Sequence, residues 1–231
     1  MHVPDGFLDA TTSLATGAVA VTAVGLALRG ARKELDDRTA PMAGLVATFV
    51  FATQMLNFPV AGGTSGHLLG GALAAVLVGP WTGLLCVSVV LIVQALLFAD
   101  GGITALGTNI TLMAVVGVLV GWLVFRGVQA VLPRRLSLVA PAAVVGAFVS
   151  VPVAALGFAG LYAVGGTAPV PLDTLVTAMV GVHLLIGIGE AVITGLVVGS
   201  VIAVRPDLVY GARRTLRART LEIRPTEDAP A

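Results

Sequence analysis

Three histidines interrupt an otherwise apolar chain, each where an imidazole has chemistry open to it. His2 is the second residue, His67 follows the run GGTSG, and His183 lies in a long apolar stretch with Glu190 two helical turns further on. That spacing puts His183 and Glu190 on one helix face. The N-terminal pair is the most specific. A free amine at Met1 and the amide nitrogen of His2 close a five-membered chelate ring on a metal ion. The same amide and the near ring nitrogen of His2 close a six-membered ring. Three nitrogens therefore lie almost in one plane before any tertiary structure is invoked, and a fourth from His67 completes a square. Planar nitrogen donors suit Ni(II) or Cu(II), and metal binding can drive off the amide proton.

This chemistry requires Met1 to be the first residue of the mature protein, which the sequence predicts. MHVPDGFLDATTS has no basic n-region, and Asp5 and Asp9 precede the first apolar run, so the start does not read as a cleavable signal peptide. The bulk of His2 also disfavours removal of Met1. Polar and ionisable groups within a bilayer are costly and by default point to a functional site. Taken singly, each also has a plainer role. His67 can cap a helix, and His183 with Glu190 can form a structural hydrogen-bonded pair, since a mid-membrane carboxylate needs a partner or a proton. Asp5 and Ser65 are candidates to hydrogen-bond the metal-bearing imidazoles, as outer partners of ligands commonly do. Asp100, in ADGG, reads as a turn former, a ligand-loop orienter or a cation-attracting carboxylate. Cys86 is the only cysteine, so no intrachain disulfide forms, and its apolar surroundings make it a small buried hydrophobe.

The elements that must position these groups are membrane helices. Of 231 residues, 57% are hydrophobic and 11% charged, with mean hydropathy +1.02. A soluble domain carries about 25% charged residues, so lipid is the solvent here. The apolar runs predict an all-α polytopic fold of about seven transmembrane helices, near 14–28, 41–58, 67–78, 81–98, 106–125, 139–164 and 172–204. The third, opening at His67 and broken by Gly79-Pro80, reaches only about 18 Å, short of a hydrocarbon core of about 30 Å. Other protein must fill the remaining depth. If MHVPDGFL turns back into the bundle at Pro4-Asp5-Gly6, it supplies that filling and carries His2 to His67. All 13 Lys and Arg fall within 29–38, 126–135 and 205–224, alternate connections of such a bundle. Basic residues concentrate on the cytoplasmic side, so the N-terminus is expected outside and the C-terminus inside. Residues 1–204 form one metal-binding bundle that includes the N-terminal segment 1–10, and 205–231 a basic cytoplasmic tail. Gly117-x-x-x-Gly121, Gly195-x-x-x-Gly199 and Gly66-x-x-x-Gly70 permit close helix contact.

MHVPDGFL, GGTSGHLLGGALAAVLVGPW, QALLFADGGITALGTNI and HLLIGIGEAVITG, in that order, resemble the nickel/cobalt substrate-binding membrane component of energy-coupling factor transporters. The resemblance implies a seven-helix subunit whose inserted N-terminus holds Ni(II) or Co(II) through the Met1 amine, the His2 amide and imidazole, and His67. It also implies partners: a coupling transmembrane subunit, two cytoplasmic ATPase subunits and a small auxiliary membrane subunit on a separate chain. No cofactor or nucleic acid is expected. The chain contains no GxxxxGK[ST] phosphate loop, so ATP hydrolysis falls to the partners. Two other classes compete. An intramembrane metalloenzyme using His67, His183 and Glu190 would need a motif such as HExxH, which is absent. A secondary transporter using Glu190 and Asp100 as cation or proton carriers would work without ATPases.

Overall fold

The computed structural model describes residues 1–36, 39–59 and 65–221. Asp9 caps the first helix, α1 (Ala10–Ala31), by accepting the Thr12 N–H at 2.7 Å. Next come α2 (Ala40–Gln54) and a two-residue antiparallel pairing of β1 (Phe58–Pro59) with β2 (Ser65–Gly66). Then follow α3 (Gly71–Val78), α4 (Pro80–Leu97), α5 (Leu106–Val131), α6 (Val139–Gly165), α7 (Leu172–Val204) and α8 (Arg213–Leu221). Among the described residues five helices, α1 and α4 to α7, are long and apolar enough to cross a membrane; α2 is shorter, at 15 residues.

Exposed surface on these helices is apolar: Leu14, Val21, Leu185 and Leu196 are each more than 60% exposed. Such faces suit lipid rather than water. At the centre, all eight residues of α3 are buried. A helix apolar on every side belongs in the middle of a bundle. Its close neighbour is α5: a Cβ on Gly71 would come within 2.9 Å of the Gly117 backbone, and one on Gly121 within 2.6 Å of Ala72 Cβ. The Gly117/Gly121 pair thus provides the close approach its spacing predicts.

Two boundaries differ from the sequence expectation. Helix α2 ends at Gln54, before Phe58, and α3 starts at Gly71, so His67 lies ahead of the helix in extended chain. The cause is local. Gly70 adopts φ +75°, a left-handed conformation that favours glycine, and the Leu69 and Gly70 N–H groups donate to the Glu190 carboxylate at 2.8 and 2.6 Å.

At the opposite end, Glu34 is buried and accepts from the Trp81 and Thr82 N–H groups at 3.2 and 2.7 Å, capping α4 with a negative charge. Arg213 donates to the Glu34 carbonyl at 3.3 Å and lies 3.8 Å from Asp36. The start of the basic tail is therefore docked, with Val209 and Ala212 fully buried; residues 222–231, including Arg224, lie outside the described part.

Candidate metal centre

The first residues run into the bundle, with Met1 1%, His2 4% and Val3 1% exposed. Backbone bonds hold them there. The Val3 N–H donates to Asn109 Oδ1 at 2.8 Å, while the Val3 carbonyl accepts from Asn109 Nδ2 at 3.2 Å and from the Gly102 N–H at 3.0 Å. Asn109 directly precedes a π-helical stretch, Ile110–Val116, a distortion that recurs at functional sites. Further along, Thr167 donates its hydroxyl to the Gly6 carbonyl at 2.7 Å and its N–H to the Phe7 carbonyl at 3.1 Å. Leu8 pairs with Gly166, and the Phe7 ring packs 5.3 Å from that of Tyr162. Asp5 Oδ1 accepts from both the N–H and the hydroxyl of Thr104, which holds its carboxyl below the usual carboxylate range.

This path brings the His2 and His67 rings to 4.6 Å between centroids, tilted by 34°. His67 is fully buried, and its Nδ1 lies 2.7 Å from the Leu68 carbonyl. A carbonyl only accepts, so Nδ1 carries the proton and Nε2 keeps its lone pair. Nε2 has no hydrogen-bond partner. The loop that aims this ring is clamped twice: by Glu190 on the Leu69 and Gly70 N–H groups, and by Gln54 Nε2 donating to the Leu69 carbonyl at 2.6 Å.

On His2 the unpartnered buried nitrogen is Nε2, 3.6 Å from Asp100 Oδ2, just beyond hydrogen-bonding distance. Asn57 Nδ2 holds that same oxygen at 2.7 Å. Nδ1, the nitrogen used by the six-membered chelate, faces Gly101, where a Cβ would come within 2.7 Å of it. Gly101 also has φ +90°, so both backbone and space call for glycine. A His2 that gives Nδ1 to a metal carries its proton on Nε2, facing Asp100. Carboxylate, imidazole and metal then form the relay that raises ligand basicity and fixes the ring.

His183 is fully buried as well, with Nδ1 2.8 Å from the Met179 carbonyl and Nε2 without a partner. The Met1 amine lies within electrostatic reach of Asp100, His67 and His183. Each unsatisfied buried nitrogen costs about 1–3 kcal/mol, so three together in a protein core mark a place built for a ligand. Among the described residues no three His, Cys, Asp or Glu side chains gather as a metal cluster, which leaves main-chain nitrogens to complete any ligand set.

Met1, His2 and His67 are thus brought together, with His183 close by. Asp5 and Asp100 line a cavity of 280 Å³ beside His2. Glu190 stands behind the His67 loop and does not pair with His183. The Ser65 side chain lies outside the described part. The clamps by Asn109, Gln54 and Glu190 were not legible in the sequence, because they join residues 106, 15 and 121 positions apart. The one available signal was the polar type of those side chains within apolar runs.

The bundle, its inserted N-terminus and its buried nitrogen donors define a multi-pass membrane transport component for a transition metal. Residues 2–208 match the CbiM family, the cobalt uptake substrate-specific transmembrane region, and the chain belongs to that family. It is 41% identical over 210 residues to a candidate metal transport protein of Haloquadratum walsbyi, covering 91% of this chain and 94% of that one. It is 36% identical over 230 residues to the fused nickel transport protein NikMN of Rhodobacter capsulatus, covering 92% of this chain and 65% of that one. The crystal structure of a truncated transition metal transporter superposes with TM-score 0.81 at 34% identity, covering 88% of this chain and 99% of that one. As a member of this family the chain is a cobalt/nickel uptake membrane component, not an enzyme.

Proposed function

We propose that this chain captures Ni(II) or Co(II) at the outer face, as the substrate-specific component of an energy-coupling factor transporter that takes the ion up at the expense of ATP. The observation that carries this is the buried convergence of the Met1 amine, His2 and His67, with His67 Nε2 oriented and unpartnered. The amine, the deprotonated His2 amide, His2 Nδ1 and His67 Nε2 supply four nitrogens. Low-spin d⁸ Ni(II) gains most from such a planar field, and Co(II) can use the same donors. Asp100 steadies the His2 proton, and Glu190 and Gln54 hold the loop that aims His67. Ligand binding in the dry core strengthens each of these contacts. A coupling membrane protein, two cytoplasmic ATPase subunits and a small auxiliary membrane protein complete the transporter, and nucleotide hydrolysis is theirs. The test is a competition titration of the purified chain. One Ni(II) or Co(II) per chain is expected in excess Mg(II); a chain that takes up neither ion would overturn the assignment.

All seven apolar helices α1 to α7 traverse the bundle, with Met1 outside and the basic segments in the cytoplasm. Supporting this, the three basic segments meet at one end. Arg213 contacts Glu34 and Asp36, and Arg126, Arg134, Arg135 and Arg214 line a common cavity of 230 Å³. Lysine and arginine gather on the cytoplasmic side. In a Cys86→Ser background, Arg134→Cys is expected to resist an impermeant thiol reagent on intact cells and to react once the membrane is opened. Labelling from outside would reverse the orientation.

A further inference from the structure

His183 has no task in the planar site, yet it is prepared as a ligand. Its Nδ1 is occupied by the Met179 carbonyl, one helical turn back, which fixes the tautomer and leaves the Nε2 lone pair free in a fully buried position. The fold sets it alongside His67. Glu190 grips Leu69 and Gly70 from α7, and two turns back on the same face, about 10 Å along the axis, stands His183. From Leu69 the extended chain runs back along α7. Leu68 shares an apolar groove with Val182, Ile186 and Gly189, and a Cβ on Gly189 would come within 3.7 Å of its Cδ2. Extended chain covers about 3.3 Å per residue, so His67, two residues before Leu69, is carried back toward the level of His183.

Given the capture site proposed above, we propose that His183 Nε2 is a fifth nitrogen donor to the captured ion and sets its discrimination between cobalt and nickel. Met1, His2 and His67 fill the four planar positions, so a further donor to the same ion can approach only along the axis. That position matters differently to the two metals. Low-spin d⁸ Ni(II) is satisfied by four planar nitrogens and gains little from a fifth. Co(II), d⁷, readily accepts an axial imidazole and is held more tightly by it. His183 therefore makes a site that would otherwise favour nickel hospitable to cobalt. Binding the ion also gives the buried Nε2 a partner, as buried polar atoms normally have.

The unmodified protein loaded with Co(II) tests this directly. Imidazoles bound to paramagnetic cobalt give strongly shifted ring N–H resonances, and the His67 and His183 protons are both sequestered on carbonyls. Three such signals are expected, from His2, His67 and His183; two would overturn the proposal. In parallel, His183→Leu is expected to lower Co(II) affinity by about tenfold or more and Ni(II) affinity by much less, raising the nickel-to-cobalt ratio. Equal affinity changes for both ions, or none, would also overturn it. Failure of the unmodified chain to bind either ion would count against the capture site itself, whereas normal binding with two imidazole signals would count against His183 alone.

Discussion

Acetylation of the Met1 amine is expected to abolish high-affinity Ni(II) and Co(II) binding while the bundle stays folded. Acetylation turns the amine into an amide with no basic lone pair, so the five-membered chelate with the His2 amide cannot form. The nitrogen is buried beside Asp100, His67 and His183, and no other group can take its place without moving the segment that Asn109, Gly102 and Thr167 hold. Loss of an outer hydrogen-bond partner typically lowers metal affinity by about 10–100-fold; loss of a direct donor should exceed that. Adding one residue ahead of Met1 is a less clean experiment. It moves His2 to third place, where an amine, two amides and an imidazole can form a planar site without His67. Acetylation leaves His2 in register and isolates the amine. The readouts are a nickel titration on purified protein and uptake in cells, with thermal unfolding as the control for fold. Full binding by the acetylated chain would remove Met1 from the site and shift attention to His67, His183 and a carboxylate.

The apolar runs located the long helices well because lipid imposes one rule along each of them. The runs 139–164 and 172–204 correspond to Val139–Gly165 and Leu172–Val204. The rule fails where polar groups interrupt it. His67 was expected to open α3, but the Leu69 and Gly70 amides turn to Glu190, 121 and 120 positions away, and no local pattern records such a contact. Asp5 was the expected partner of an imidazole; Thr104 occupies its Oδ1, and it is Asp100 that lies 3.6 Å from His2. Both are short-chain carboxylates in outer loops, so composition does not distinguish them. His2 and His67 were legible for a different reason. The chelating capacity of an amine, an amide and a second-position imidazole is covalent geometry, present before folding, and folding has only to deliver one more nitrogen.

That nitrogen is His67 Nε2, and His67→Ala is expected to lower metal affinity by more than about 100-fold without disrupting the fold. The backbone around it does not depend on the imidazole. Glu190 still accepts from Leu69 and Gly70, Gln54 still donates to the Leu69 carbonyl, and Gly70 keeps its left-handed turn. What is lost is one donor of the square and the Nδ1 bond to Leu68, a bond whose carbonyl sits at the edge of the loop. Glu190→Gln makes the informative contrast. A neutral amide offers one oxygen to two N–H donors and turns an NH₂ toward the second, leaving a buried donor unpaired at a cost of about 1–3 kcal/mol. The expected outcome is reversed in kind: a clear drop in thermal stability with a metal-affinity loss of only about 10–100-fold, because His67 is mispositioned rather than missing. Added free imidazole separates the two. It should partly restore nickel binding to His67→Ala, by entering the space the side chain left, and do nothing for Glu190→Gln. Wild-type nickel affinity in His67→Ala would mean that the fourth planar donor is another group, and the unpartnered Nε2 of His183 would then be the first to examine.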